Sequence, residues 1–147
     1  MMEDPCPLEI SEGEEGGIKE FLEREWRSVD ERMFGLYDEE MWVAKRRALA
    51  ACEDGETVGA VVFKMEAGLG KIAQLVVATN HRRRGIGAAL IRSVEEVCRQ
   101  EGCHKVSLKT YWNSEAQRFY EEQGYLVEGI LRRDLHGVDM CQMCKFL

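Results

Sequence analysis

Arg82-Arg83-Arg84-Gly85-Ile86-Gly87-Ala88 is the stretch of this sequence best suited to meet an anion. An apolar run, Leu75–Ala78, lies ahead of it. Behind it Ile86, Leu90, Val94 and Val97 recur at helical spacing. The loop therefore feeds the first turn of a helix. There the backbone N–H groups lack intrahelical acceptors, and the helix dipole adds partial positive charge. Together they make an anion site. Gly85 and Gly87 let the backbone bend and let phosphate oxygens approach where a Cβ would stand. Arg82, Arg83 and Arg84 supply charge and forked donors that suit phosphate. The chemistry implied is the binding of a diphosphate.

Rival phosphate motifs do not fit. A dinucleotide fingerprint needs a third glycine where Leu90 stands. A Walker loop needs Gly-Lys-Ser/Thr, which the sequence lacks. From the loop alone, a solvated basic turn ahead of an ordinary helix stays open.

The loop must be positioned by its neighbours. Leu8–Ile10 reads as a short first strand. Ser11 and Glu14 have capping-box spacing, but Gly16-Gly17 move the expected helix start later. Ile18, Leu22, Trp26, Val29 and Met33 mark an amphipathic helix that Gly35 ends. Asp38–Arg46 reads as a second, shorter helix. Ala48–Cys52, Thr57–Lys64 and Lys71–Ala78 come next as three antiparallel strands. Asp54-Gly55 is a hairpin signal, and Gly68 and Gly70 mark a second turn. The nearly unbroken apolar run of Lys71–Ala78 predicts a strand covered on both faces.

After the loop the helix continues to about Gln100, with Gly102 as its cap. Val106 to Leu108 alternates as a strand. Asn113 or Ser114 caps a short helix, with Gln117 at capping-box spacing from Ser114. Ala116, Phe119 and Tyr120 share one face of it, and Gly124 ends it. Tyr125–Arg133 and Val138–Phe146 close the chain as a hairpin around His136-Gly137. This order predicts an α/β (α+β) fold: a mixed, mostly antiparallel sheet of about six to seven strands with helices on both faces. Residues 1–147 read as a single domain.

The net charge of −7 argues against nucleic acid as a partner and is compatible with a cationic amine substrate. The start, Met1-Met2-Glu3-Asp4-Pro5, is acidic where a secretory signal would be basic and then apolar. No apolar run approaches the length of a membrane span. A cytoplasmic location with no membrane partner is the expectation. Only the arm around Pro5 and Pro7 reads as flexible. Cys6, Cys52, Cys98, Cys103, Cys141 and Cys144 read as reduced thiols. Cys141 and Cys144 form a C-x-x-C, but no second ligand pair exists, and on a strand they face opposite sides. No metal is expected.

Two blocks carry more than the loop does. One is Leu75-Val76-Val77-Ala78-Thr79-Asn80-His81-Arg82-Arg83-Arg84-Gly85-Ile86-Gly87-Ala88-Ala89-Leu90-Ile91. The other is Asn113-Ser114-Glu115-Ala116-Gln117-Arg118-Phe119-Tyr120-Glu121-Glu122-Gln123-Gly124-Tyr125. In order and separation they resemble the Gcn5-related N-acetyltransferase (GNAT) superfamily, over nearly the whole chain. The resemblance implies acetyl-CoA as cosubstrate and direct acetyl transfer to a primary amine of a small molecule or peptide. It implies that Leu75, Val76 and Val77 pair through their backbone with the pantetheine arm, one N–H polarising the thioester carbonyl. It implies that the amides of Arg83 to Ala88 (Arg83, Arg84, Gly85, Ile86, Gly87, Ala88), with Arg82, hold the pyrophosphate. Asn113 would contact the cofactor arm, and Tyr120 would be the general acid for the departing thiolate.

The sequence departs from better-known members at the base. Lys71 and Leu108 stand where some members carry a glutamate. Glu66, Tyr111, His136 and the Asp38-Glu39-Glu40 cluster are the remaining candidates, and a water relay serves equally. The family's acceptor pocket would draw on Trp26, Phe34, Tyr37, Trp42, Asp134, His136 and Asp139. A homodimer is expected, with Val138–Phe146 as an apolar edge. A non-catalytic acyl-CoA-binding module, or a subunit serving protein contact, are the rival readings.

Overall fold

A computed structural model describes residues 8–147, so the arm around Pro5 and Pro7, and Cys6, lie outside the described residues. The chain divides after Asp38 into two compact units. The first carries α1 (Glu15–Phe34), which stops at Gly35 in the left-handed region, φ 77°, with its N–H on Glu31 O. Glu14 rather than Ser11 stands at the N-cap, and Gly16 and Gly17 fall inside the first turn. The expected strand at Leu8–Ile10 does not form among the described residues: these three pair with none of their strands and have no regular structure.

The second unit holds a six-stranded sheet of order β1-β2-β3-β4-β6-β5. Its strands are β1 (Lys45–Glu53), β2 (Glu56–Glu66), β3 (Leu69–Val77), β4 (Lys105–Tyr111), β5 (Leu126–Leu131) and β6 (Met140–Phe146). Its helices are α2 (Ile86–Gln100) and α3 (Glu115–Glu122). Only β3 and β4 run parallel, so the mixed, mostly antiparallel sheet is as expected.

The expected second helix shrinks to one 3-10 turn, Glu39–Trp42. Its last two residues are claimed by the ladder with β2, which pairs Lys45 with Met65 and Arg46 with Lys64. Asp54 and Gly55 both have positive φ, as a tight I′-type hairpin demands. The next turn lies at Ala67 and Gly68, and Gly70 belongs to β3. A Cβ on Gly70 would come within 2.5 Å of Cys98 Sγ, so its bareness lets α2 lie close on the sheet.

The core sits between α2 and the sheet. Val61, Phe63 and Met65 alternate along β2 toward Leu90, Ile91, Val94 and Cys98 of α2. Val106, Leu108, Cys141, Met143, Tyr120 and Tyr125 extend it under α3. The expectation that β3 is covered on both faces fails at Gln74 and Val76, which are exposed. Cys141 and Cys144 are both buried, and strand alternation puts them on opposite faces of β6.

One expectation about the sheet is overturned. Val138–Phe146 is not an edge, because β6 lies between β4 and β5 and pairs with both. The outer strand is β5, where Leu126 and Ile130 are exposed. A hairpin's second strand need not be the outer one. Here it reaches back to β4 through a long-range ladder from Lys105↔Phe146 to Tyr111↔Met140.

Candidate active site

Parallel pairing of β3 with β4 covers only Leu69↔Lys105, Gly70↔Val106 and Lys71↔Ser107. Beyond Lys71 the strands part. A register shift at Val62/Phe63 leaves Ala73 unpaired, a bulge that bends β3 at the parting. Ala78 N–H bonds to Val58 O, which marks that pair as hydrogen-bonded. By antiparallel alternation Leu75 and Val77 then turn their backbone groups away from β2, toward the opening.

Beside the free side of β3 lies a cleft of about 750 Å³. Leu75, Val76, Val77, Arg82, Arg83 and Gly85 to Ala88 line one side, and α3 with Tyr120 lines the other. Gly85 is the N-cap of α2, at φ 81°, and supplies no side-chain cap. Ala89 N–H makes the first bond of the helix, to Gly85 O. The N–H groups of Ile86, Gly87 and Ala88 therefore have no intrahelical acceptor. A Cβ on Gly87 would stand 3.1 Å from Phe119 Cζ, so this glycine keeps the two walls close.

The three arginines part company. Arg82 donates its Nε to Val77 O at 3.1 Å. Arg84 lies outside the cleft lining and pairs with Glu53 at 3.3 Å. Arg83, with φ 62°, lines the cleft and has no ion pair among the described residues.

Asn113 lies outside the cleft lining as well. It is exposed, has φ 56°, and its N–H donates to Gln117 Oε1 at 2.6 Å. Ser114 is the cap of α3: its Oγ accepts Gln117 N–H at 3.1 Å. The capping box is thus shifted by one residue on its return bond. His81, Glu115, Ala116, Arg118, Phe119, Glu122 and Gln123 also line the cleft, a set that the motifs alone did not single out. Helical spacing held the signal, since Glu115, Arg118 and Glu122 share the face of Phe119.

Tyr120 is 8% exposed, at the cleft wall. Phe119 and Tyr125 meet its ring edge-on, with centroids 5.1 and 5.9 Å away. Burial alone pushes its hydroxyl pKa above the ordinary tyrosine value. A proton held this way can be given to a nearby leaving group, as a general acid requires.

Neither of the two positions where some family members carry a glutamate holds a carboxylate here. Leu108 is buried in the core and Lys71 is exposed. Glu66 pairs with Lys64 at 3.3 Å, Tyr111 is exposed, and His136 lies in a 3-10 turn. Of the acids expected at an acceptor pocket, Asp134 and Asp139 both lie outside the cleft lining, and Asp134 Oδ2 is 2.7 Å from Lys109 Nζ. That contact is ionic, since its geometry is outside hydrogen-bond limits. Asp139 accepts Arg133 N–H at 2.9 Å.

Residues 16–125 match the profile of the acetyltransferase (GNAT) family. The chain belongs to that family. It is 33% identical over 99 residues to N-alpha-acetyltransferase 30 of Xenopus laevis, covering 63% of this chain and 36% of that one. The chain thus spans about a third of the length of this relative. Among solved structures, an acetyltransferase from Bacillus cereus superposes with TM-score 0.72 and 23% identity, covering 95% of this chain and 98% of that one. An aminoglycoside 6'-N-acetyltransferase complexed with coenzyme A gives TM-score 0.64 and 19% identity, covering 86% and 91%. No helix among the described residues is long and apolar enough to cross a membrane.

Proposed function

We propose that this single domain, residues 1–147, is an N-acetyltransferase that moves an acetyl group from acetyl-CoA to a primary amine. The observation that carries this is the juxtaposition across one cleft. Free first-turn N–H groups of α2 and β3 backbone turned away from β2 lie across the cleft from the buried, protonated Tyr120. The features fit the donor part by part. Ile86 to Ala88 and Arg83 would hold its pyrophosphate. The turned-out groups of Leu75 and Val77 would pair with its pantetheine amides. An N–H of the same strand would polarise the thioester carbonyl. The solved relative with coenzyme A supports the choice of donor.

The amine nitrogen attacks the carbonyl carbon and the C–S bond breaks. The electron pair leaves on sulfur, and the Tyr120 hydroxyl protonates it. The amine's own proton goes to water, because no carboxylate stands at the family's base positions. Peptide α-amines are the first acceptors to try, given the relative named for N-alpha-acetylation. The protein works in the cytoplasm without metal. It forms a homodimer with β5, the outer strand, as the edge a second copy would join. Sedimentation at the monomer mass would refute the dimer.

The absent glutamates favour one second reading, an acyl-CoA-binding module without catalysis. A panel of amines screened for thiol release from acetyl-CoA separates the two. It should include peptide N-termini, lysine, polyamines and aminoglycosides. The enzyme reading expects turnover with one class. Tight acetyl-CoA binding with no turnover on any member would favour the second.

A further inference from the structure

Glu53 is a carboxylate beside a loop made for an anion. Its Oε2 stands 3.1 Å from His81 Nε2 and 3.3 Å from Arg84 Nη1. Those two residues bracket Arg82 and Arg83. His81 is held at its other nitrogen too, with Nδ1 2.8 Å from Asn80 Oδ1. Glu53 itself is fixed by its place, as the last residue of β1 against the tight turn at Asp54-Gly55. A register shift at Ala51/Cys52 pairs it with Glu56 at the mouth of that turn.

Electrostatics alone makes this carboxylate a liability, since it repels a phosphate at the same loop. The geometry gives it another task. Arg83 holds φ 62°, a region uncommon for residues other than glycine. Such a conformation persists when the surroundings over-determine it. Arg82 anchors the inner side of the turn on Val77 O, and Glu53 ties its two outer ends together.

We propose that Glu53 is a positioning residue for the donor substrate. By clasping His81 and Arg84 it holds the turn from Arg82 to Gly85 in the shape that presents Arg83 and the α2 amides to the diphosphate. This rests on the reading that the cleft takes acetyl-CoA.

The sign of one measurement decides it. Calorimetry with acetyl-CoA compares the wild type with Glu53→Gln, which removes the charge and keeps the size. The clasp predicts binding about three- to fivefold weaker, the scale of a half-exposed ion pair and the histidine contact beside it. Melting temperature should be unchanged, and so should kcat on any amine the protein accepts. A role in folding alone would lower the melting temperature and leave the affinity intact, which overturns the proposal. Binding as tight as wild type, or tighter as bare electrostatics predicts, overturns it too. Arg84→Gln made in the Glu53→Gln background should cost less affinity than in wild type. Additive losses would contradict the clasp. A wild type that does not bind acetyl-CoA sinks the cleft reading itself, and is told apart by the wild-type titration alone.

Discussion

A methyl group added to Gly87 would come 3.1 Å from Phe119 Cζ and 3.7 Å from Val77 Cγ2. One position thus touches both walls of the cleft. Phe119 is half-buried and lines the cleft in which the donor would lie, so a shift of its ring reshapes that cleft. Gly87→Ala should therefore damage binding more than folding. Helix propensity gains up to about 1 kcal/mol, offsetting an overpacking cost of about 1–3 kcal/mol. We expect a melting temperature within a few degrees of wild type and acetyl-CoA affinity down about tenfold. Differential scanning calorimetry beside a titration checks both, and an unchanged affinity would contradict the cleft's placement.

Tyr120→Phe keeps the ring contacts and removes the proton. With any accepted amine, kcat should fall by about 10²–10⁴ while KM for acetyl-CoA holds. Burial raises the Tyr120 pKa above its ordinary value, so the hydroxyl keeps its proton through neutral and mildly alkaline pH. The wild-type rate should thus rise with pH as the amine deprotonates and show no falling limb in that range. A pH–rate profile that turns down near neutrality would exclude Tyr120 as the acid.

Behind Tyr120 lies a buried charge that holds the scaffold. Glu95, 3% exposed, accepts both Lys145 contacts at 3.0 Å and the Tyr125 hydroxyl at 3.2 Å. Lys145 also donates to Gln123 O at 3.0 Å, joining α2, β6 and the end of α3. Burial, with Glu95 alongside, pushes the Tyr125 pKa up, so this donor keeps its proton. Lys145→Met leaves the buried carboxylate only the longer Arg99 contact, at 3.9 Å, and should destabilise by up to about 3–5 kcal/mol in urea unfolding. The Glu95→Leu/Lys145→Met pair should lose much less. Equal losses in the single and double variants would argue against the ion pair.

Local chemistry was the legible part of the chain. The loop from Arg82 to Ala88 could be read because glycines, charge and a helical stripe sit side by side in sequence. The α2 span from Ile86 to Gln100 came from the same stripe. Long-range pairing was not legible. Periodicity marks a strand within Val138–Phe146, observed as Met140–Phe146, but not that β4 will claim its free edge. Arg82, Arg83 and Arg84 are alike in sequence, yet Arg84 is turned aside by Glu53, 31 residues earlier. Asn113 likewise takes a capping geometry whose acceptor, Gln117, could not be told from an ordinary box. The short strand at Leu8–Ile10 had the right residue types but no partner. Strands are defined by partners as much as by composition.

We propose above all that acetyl-CoA lies in the cleft between β3 and α3, with its diphosphate on the α2 amides. Titration calorimetry of the purified protein with acetyl-CoA tests it most directly. One site per chain is predicted, with affinity falling as salt rises because Arg83 contributes charge. The same titration with Arg83→Ala should show weaker binding. No heat with acetyl-CoA, or binding indifferent to both salt and Arg83, would contradict the account.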